Sequence, residues 1–312
     1  MNARTMNLLA VTCAIVASLL GLSSRAAAAD NAKPQPIKLP GIENAFRVTG
    51  RILSGSQPEN DLSFAALAKF GVKTIISVDG EKPQAEEAKK HGLRYVHLPI
   101  GYDGIPATRI AELAKAAAPE AGKIFIHCHH GKHRGPAAVG VICESVAGWT
   151  PAQAEAWLRQ AGTADDYPGL YRAVREFAMP TAAQLAATGP LPEIAKTPPL
   201  VDTMVALDAW LDTMKDELRG DWNAKNMTAR RMAGNSVVAL AQLLHELART
   251  GDMASRPEDF RRLLADTEKS ANAILGLMEK DGPTTTASLH AELKRLTQSC
   301  ATCHKMYRNE KP

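Results

Sequence analysis

Two groups of residues in this 312-residue sequence could carry chemistry. In the first, five residues separate Cys128 from Arg134, between an apolar run typical of a buried strand and one typical of a buried helix. In the second, near the C-terminus, two residues separate Cys300 from Cys303, and His304 follows directly. A thiolate beside an arginine suits attack on an anionic ester, whereas two thiols beside a histidine suit attachment of a metal or cofactor.

The first group has the spacing of a phosphate-binding loop. A short loop leading into a helix can direct several backbone N–H groups at one anion. Arg134 can close that loop with a bidentate contact to two phosphate oxygens, and Pro136 suits the first helical turn. These groups favour the thiolate of Cys128, which can then attack phosphorus. A general acid is needed to protonate the leaving oxygen.

This loop resembles the Cys-x5-Arg signature of the protein tyrosine phosphatase superfamily, in particular its small dual-specificity branch, over residues 43–180. The resemblance implies that Cys128 is the nucleophile, that Arg134 binds the phosphate and that an aspartate on a separate loop is the acid. Asp103 lies in the loop where that acid belongs, and Asp79 is the alternative.

One position departs from the family pattern. The family usually has serine or threonine directly after the arginine, where it helps the thiolate leave during hydrolysis of the phosphocysteine. This chain has Gly135 there. Breakdown of the intermediate is therefore expected to be slow or to be assisted differently.

The loop also holds four of the nine histidines, of which His127 is expected to be buried beneath it. The others could form a solvated basic rim, favour a polyanionic substrate such as an inositol phosphate, or capture zinc or copper. Rhodanese-like sulfurtransferases are an alternative class with a cysteine in an anion-binding loop, but Arg134 and the following helix favour a phosphatase. The predicted substrate-binding residues are His129, His130, Gly131, Lys132, His133 and Arg134.

The C-terminal group has the C-x-x-C-H pattern of c-type haem attachment, in which Cys300 and Cys303 bind the haem covalently and His304 ligates its iron. A zinc site and a redox dithiol are the competing interpretations.

Residues 198–310 resemble class II c-type cytochromes, the cytochrome c prime group. This implies a four-helix bundle with one covalent haem c on its last helix, a capacity to form homodimers and a redox partner. The sixth iron position would be empty or filled from the first helix. Met204 is the candidate there, and core packing is the alternative role for Met204 and Met214.

Residues 1–29 are typical of a secretory signal peptide. An uncharged apolar run, residues 8–22, follows Arg4 and ends near small residues, with the best cleavage site after Ala29. The run is shorter than the roughly 20 residues of a membrane-spanning helix. We expect an exported, periplasmic protein with no membrane span after cleavage; an uncleaved anchor is the alternative.

The remaining sequence divides into two parts. Strand and helix patterns alternate up to residue 180, which predicts an α/β domain with a mixed or parallel sheet flanked by helices. Helical patterns alone follow, which predicts an all-α four-helix bundle. The predicted segments are a signal peptide at 1–29, a tether at 30–42, a phosphatase-like domain at 43–180, a proline-rich linker at 181–198 and a cytochrome domain at 199–312.

Charge excludes one class of function, and the motifs leave two. The formal net charge is +4, and no basic cluster of the kind that binds nucleic acid occurs. The first hypothesis is an exported phosphatase that acts on a phosphorylated substrate and whose haem domain senses redox state or a gas. The alternative is an electron-transfer cytochrome whose phosphatase-like domain only binds an oxyanion or a partner.

Overall fold

The computed structural model describes residues 33–218, 227–279 and 286–308, which form two compact units with their boundary between Ala195 and Lys196. The predicted signal peptide and the first residues of the predicted tether lie outside the described residues. Within these ranges, no helix is long and apolar enough to cross a membrane.

A mixed sheet forms the centre of the first unit. Its strands are β1 Gln35–Pro36, β2 Phe46–Arg47, β3 Ile52–Gly55, β4 Val72–Ser77, β5 Arg94–His97 and β6 Lys123–His127. Their spatial order is β1-β2-β3-β6-β4-β5, with antiparallel pairing among the first three and parallel pairing from β3 onward. The parallel part places the carboxyl ends of β3, β4, β5 and β6 at one edge of the sheet.

Helices cover both faces of this sheet. They are α1 Asp61–Lys69, α2 Ala85–Lys90, α3 Ala107–Ala116, α4 Arg134–Val146, α5 Pro151–Gln160, α6 Pro168–Arg175 and α7 Ala182–Ala187. Successive residues of one strand point into different cores: Ile75 packs in one apolar cluster and Ile76 in another. Parallel strands that are buried on both faces read as continuous apolar runs, as β4 does.

The second unit is helical. It contains α8 Pro199–Leu218, α9 Met227–Ala248, α10 Gly251–Ala254, α11 Glu258–Glu279 and α12 Thr286–Tyr307. Side chains from its four long helices share one apolar core. Leu240, Leu244 and Leu247 recur at helical spacing and are all buried, which explains why this sequence forms an amphipathic helix.

The structure confirms a mixed sheet flanked by helices followed by a helical C-terminal region. It differs in the predicted linker, where residues 182–187 form α7 and Leu191 packs against the core of the first unit. The prolines and glycine of the segment lie after α7, and they do not prevent its contact with the domain. Gly220, Gly282 and Pro283, which are helix-breaking residues between the predicted helices of this part, lie outside the described residues.

Candidate functional site

The loop of residues 128–133 connects the end of β6 to the start of α4 at the carboxyl edge of the sheet. Gly131 has a φ of +67°, and a Cβ there would lie 2.3 Å from the carbonyl carbon of Gly55. This position therefore needs glycine. Asn44 Nδ2 donates to the carbonyl of Gly131 at 2.9 Å, so a neighbouring segment also fixes the loop.

Cys128 is the first residue of this loop and is 3% exposed. The loop leads directly into α4, whose first N–H groups and dipole favour an anion at its N-terminus. Gly135 lies in the first turn of α4, where an added Cβ would be 3.4 Å from Cys128 Sγ and 3.2 Å from Cys128 N. The departure from the family pattern is therefore in direct proximity to the thiol.

Asp79, just after β4, fixes both the loop and Arg134. Its Oδ2 accepts hydrogen bonds from Arg134 Nη2 and from the His129 N–H, each at 2.6 Å. Burial alone would raise the pKa of Asp79, but Arg134 and the N–H donors hold the pKa below its usual value. Asp79 is therefore an ionised acceptor that orients the arginine, which does not suit a proton donor.

The loop after β5 contacts the same arginine. The Arg134 guanidinium lies 4.8 Å from the centroid of the Tyr102 ring. Arg172 donates to the carbonyl of Asp103, and a Cβ added to Gly169 would be 2.4 Å from the carbonyl oxygen of Tyr102. Helix α6 therefore fixes the backbone of this loop, while Asp103 itself is exposed.

The histidines of the loop fall into two groups. The rings of His129 and His130 lie 4.4 Å apart, and His129 Nδ1 is 3.6 Å from Glu81 Oε2. The His133 ring instead packs against Tyr167, with 4.6 Å between centroids. Lys132 and His130 are exposed. The structure thus places these side chains around the loop, with His133 packed against the Tyr167 ring.

Two further histidines are buried in this unit. His127 is fully buried, as expected, and its Nε2 lies 2.8 Å from Tyr95 Oη. Burial lowers the pKa of His127 below its usual value. His97 is also fully buried, and its Nε2 is 2.8 Å from the carbonyl oxygen of Asp79. Sequence reasoning missed His97, although its place at the end of a strand beside the phosphate loop was a usable signal.

The second motif lies on α12, where Cys300, Cys303 and His304 are all partly buried. Both cysteines pack against the core of the helical unit and neither forms a disulfide. Burial raises the pKa of Cys303 to about 11 and, together with Arg308, lowers the pKa of His304 to about 4. The imidazole is therefore neutral, which is the form that binds a metal. This donor set fits covalent haem.

Helix α8 faces this motif. The Asp208 carboxylate acts on the pKa of both Cys300 and His304, although burial has the larger effect on each. Met204 is partly buried and packs against the same core as the two cysteines. Met214 is fully buried and belongs to the core itself. Of the two methionines, Met204 is the one with an accessible side chain.

Comparison with known proteins identifies the first unit. Residues 45–187 match the family described as "PTP-SAK: Swiss Army Knife protein, DSP-PTPase phosphatase domain". This part of the chain is a phosphatase domain of the protein tyrosine and dual-specificity type. Its action on a phosphorylated substrate follows from that class. The predicted catalytic residues Cys128 and Arg134 lie within the matched residues, as does Asp103.

Solved structures similar to this chain include P. aeruginosa TpbA, which is 23% identical with a TM-score of 0.42, the similarity covering 50% of this chain and 96% of that one. Another is the core catalytic domain of the PP-IP phosphatase SIW14 from S. cerevisiae in complex with citrate. It is 24% identical with a TM-score of 0.36, and 40% of this chain and 78% of that chain are covered. No curated protein matches the chain.

Proposed function

We propose that the first unit hydrolyses a phosphate monoester through a phosphocysteine on Cys128. The observation that carries this proposal is the ion pair of Arg134 and Asp79, which holds the arginine beside a loop that begins with a buried thiol at a helix N-terminus. An arginine already oriented loses little freedom when it binds phosphate, so the site is prepared for the anion before the substrate arrives.

In the first step, the Cys128 thiolate attacks phosphorus, a sulfur–phosphorus bond forms and the bond to the ester oxygen breaks. The leaving oxygen takes a proton from the carboxylic acid of Asp103. In the second step, water attacks phosphorus, gives its proton to the Asp103 carboxylate and displaces the thiolate. The products are the alcohol and inorganic phosphate, and the enzyme returns to its starting state.

Asp103 is the better candidate for the acid than Asp79. Asp79 is buried, ionised and occupied by two short hydrogen bonds. Asp103 is exposed, and its loop contacts Arg134 through Tyr102, so a substrate on the arginine would lie beside this loop. The two aspartates therefore have different roles: Asp79 orients Arg134, and Asp103 transfers protons.

The groups around the loop support an anionic substrate. The loop is surrounded by the side chains of Lys132, His129, His130 and His133. The backbone of Gly131 is part of the phosphate-binding loop itself. The N–H of His129 already donates to Asp79, so the phosphate must be bound by the later loop amides and Arg134. We infer a phosphate monoester that carries further negative charge, for which an inositol phosphate is one example.

Hydrolysis of p-nitrophenyl phosphate by the purified protein tests this function. Cys128→Ser should abolish turnover and still bind inorganic phosphate, and Arg134→Lys should weaken phosphate binding because lysine cannot make the bidentate contact. Cys143→Ser is the matched control, since Cys143 is another buried cysteine of the same unit, in the interior of α4. Turnover that survives Cys128→Ser would refute the phosphocysteine.

For the second unit we propose a four-helix bundle with one haem c bound through Cys300 and Cys303, in an exported protein. The support is the spacing of the thiols, their contact with the core and the neutral His304. When bound, the haem would supply redox chemistry or gas binding. Met204 is the candidate for the sixth iron position. Loss of covalent haem absorbance in the Cys300→Ala, Cys303→Ala double variant tests attachment.

We further infer that the haem unit senses redox state or a gas for the phosphatase. Cys128, as a thiolate, is itself prone to oxidation, which gives a route to redox control. Equal phosphatase rates for ferric and ferrous protein would contradict this role. A haem-containing protein that binds phosphate without turnover would instead be the electron carrier, acting with a redox partner. N-terminal sequencing of the protein made in a bacterial host tests cleavage after Ala29.

A further inference from the structure

The segment that leads into the helical unit is bound to the phosphatase unit beyond the residues that match the phosphatase family, which end at 187. The His97 N–H donates to the carbonyl of Pro192 at 2.9 Å. The Ala195 N–H donates to His97 Nδ1 at 3.1 Å. Lys89 forms an ion pair with Glu193 at 2.7 Å. The last residues before Lys196 are therefore anchored on His97 by both its backbone and its side chain.

The two ring nitrogens of His97 have fixed roles. Nδ1 accepts from Ala195, so it carries no proton, and Nε2–H is left to donate to the carbonyl of Asp79 at 2.8 Å. Only the neutral imidazole satisfies both contacts. Burial lowers the pKa of His97, which keeps the ring in this form. His97 thus connects Ala195 to Asp79 through two directed hydrogen bonds.

Asp79 completes the connection to the phosphate loop. Its carbonyl accepts from His97, and its carboxylate accepts from Arg134 and from the His129 N–H. A shift of the Asp79 backbone would therefore move the carboxylate that orients the arginine. Because the site is buried, the direction of each hydrogen bond matters more than it would in water.

We propose that His97 is a positioning residue that couples the segment at 192–195 to the phosphate loop through Asp79. This rests on the proposed function of the loop as a phosphate-binding active site. The segment lies directly before the helical unit in the chain, so a change that frees it would reach Arg134 without touching the substrate.

Two substitutions in the full-length holoprotein separate the two ends of this connection. His97→Asn places its amide oxygen near the position of Nδ1, which retains an acceptor for Ala195, but it is too short to reach Asp79. His97→Gln places an amide N–H near the position of Nε2, which retains the donor to Asp79. Glu193→Gln is the matched control, because it changes the same segment but removes only an exposed ion pair of small energetic value.

Binding of inorganic phosphate, measured by calorimetry, reports on Arg134 without requiring turnover. His97→Asn should weaken phosphate binding about five- to tenfold, the effect of one buried hydrogen bond. Its kcat for p-nitrophenyl phosphate should fall more than its KM rises if the arginine is also misplaced in the transition state. His97→Gln should recover only part of both losses, because it restores the donor to Asp79 but loses the acceptor for Ala195, and Glu193→Gln should match the wild type.

Both variants remove the same ring from the same core, so a general loss of stability should affect both. Better phosphate binding by His97→Gln than by His97→Asn would therefore show that the hydrogen bond to Asp79 positions the site. Equal phosphate affinity for the wild type and for a folded His97→Asn would overturn the proposal, as would equal losses in both His97 variants or wild-type affinity in His97→Gln, which lacks the contact with Ala195. The result is distinct from failure of the proposed function, in which the wild type binds phosphate but hydrolyses no ester.

Discussion

Gly135 stands where phosphatases that resemble this domain carry serine or threonine, and the structure allows the effect of restoring the hydroxyl to be worked out. A Cβ at this position would lie 3.4 Å from Cys128 Sγ and 3.2 Å from Cys128 N. The second contact is tight and needs a shift of a few tenths of an ångström. A serine hydroxyl extends one bond further and can donate to the departing thiolate.

A hydrogen bond to a charged group contributes about 1.5–3 kcal/mol. If it forms only as the thiolate leaves, this energy lowers the barrier for hydrolysis of the phosphocysteine. Since about 1.4 kcal/mol corresponds to a factor of ten, Gly135→Ser should accelerate this step about ten- to a hundredfold. The tight contact with Cys128 N acts in the opposite direction, so the lower part of this range is the expected result.

Rapid-mixing kinetics with p-nitrophenyl phosphate measure this step. In the wild type, slow breakdown of the intermediate should produce a burst of about one p-nitrophenolate per active site. In Gly135→Ser the burst should shrink and the steady-state kcat should rise. Gly135→Ala is the control, because it introduces the same Cβ without the hydroxyl and should retain the burst.

Two results would refute this reasoning. A wild type without a burst would show that breakdown of the phosphocysteine does not limit turnover. Equal kinetics for the serine and alanine variants would show that the hydroxyl does not assist the thiolate, and that backbone or water groups supply this assistance in the native site.

Asp103→Asn should lower kcat/KM, which reports formation of the phosphocysteine, about a hundredfold for esters of poor leaving groups and much less for p-nitrophenyl phosphate, whose leaving group needs no proton; equal losses of kcat/KM for both substrates would exclude it as the acid. Asp79→Asn should instead destabilise the fold by about 3 kcal/mol in urea titrations, because it removes the buried carboxylate that pairs with the largely buried Arg134. Met204→Leu should alter the visible spectrum of the holoprotein and Met214→Leu should not, and the reverse pattern would assign Met204 to the core. Both carboxylate oxygens of Glu144 are buried without a hydrogen-bond partner among the described residues, and burial raises its pKa to about 8. Because this pKa is raised on folding, stability is lost as the pH rises from about 4.3 through 8. Glu144→Gln should remove this slope, so the stability of the variant relative to the wild type should rise between pH 5 and pH 8.5; the same difference in unfolding free energy at both pH values in urea titrations would contradict it.

Residue types and spacing determined much of the architecture. The apolar run of β4 and the alternation of strands and helices predicted a sheet covered on both faces, and periodic leucines such as Leu240 and Leu244 predicted the helical unit. Local patterns suffice to predict these elements because the spacing of apolar residues shows whether one or both faces of a strand or helix are buried. The phosphatase class also followed from a local motif, because Cys128 and Arg134 lie in one short loop.

The tertiary structure decided what supports that loop. Asp79 was recognised as an aspartate after a strand, but only the parallel pairing of β4 with β6 places its carboxylate on Arg134. His97 reaches the same site from the end of β5, and Tyr102 reaches it from the loop after β5. Ala195, which is 98 residues from His97 in the sequence, donates a hydrogen bond to the His97 ring. No local pattern encodes such contacts, because they depend on which strand ends meet at the edge of the sheet. The sequence by itself thus determined the loop that joins Cys128 to Arg134 and the C-x-x-C-H spacing near the C-terminus, whereas the folded sheet determined which charges and hydrogen bonds orient the arginine.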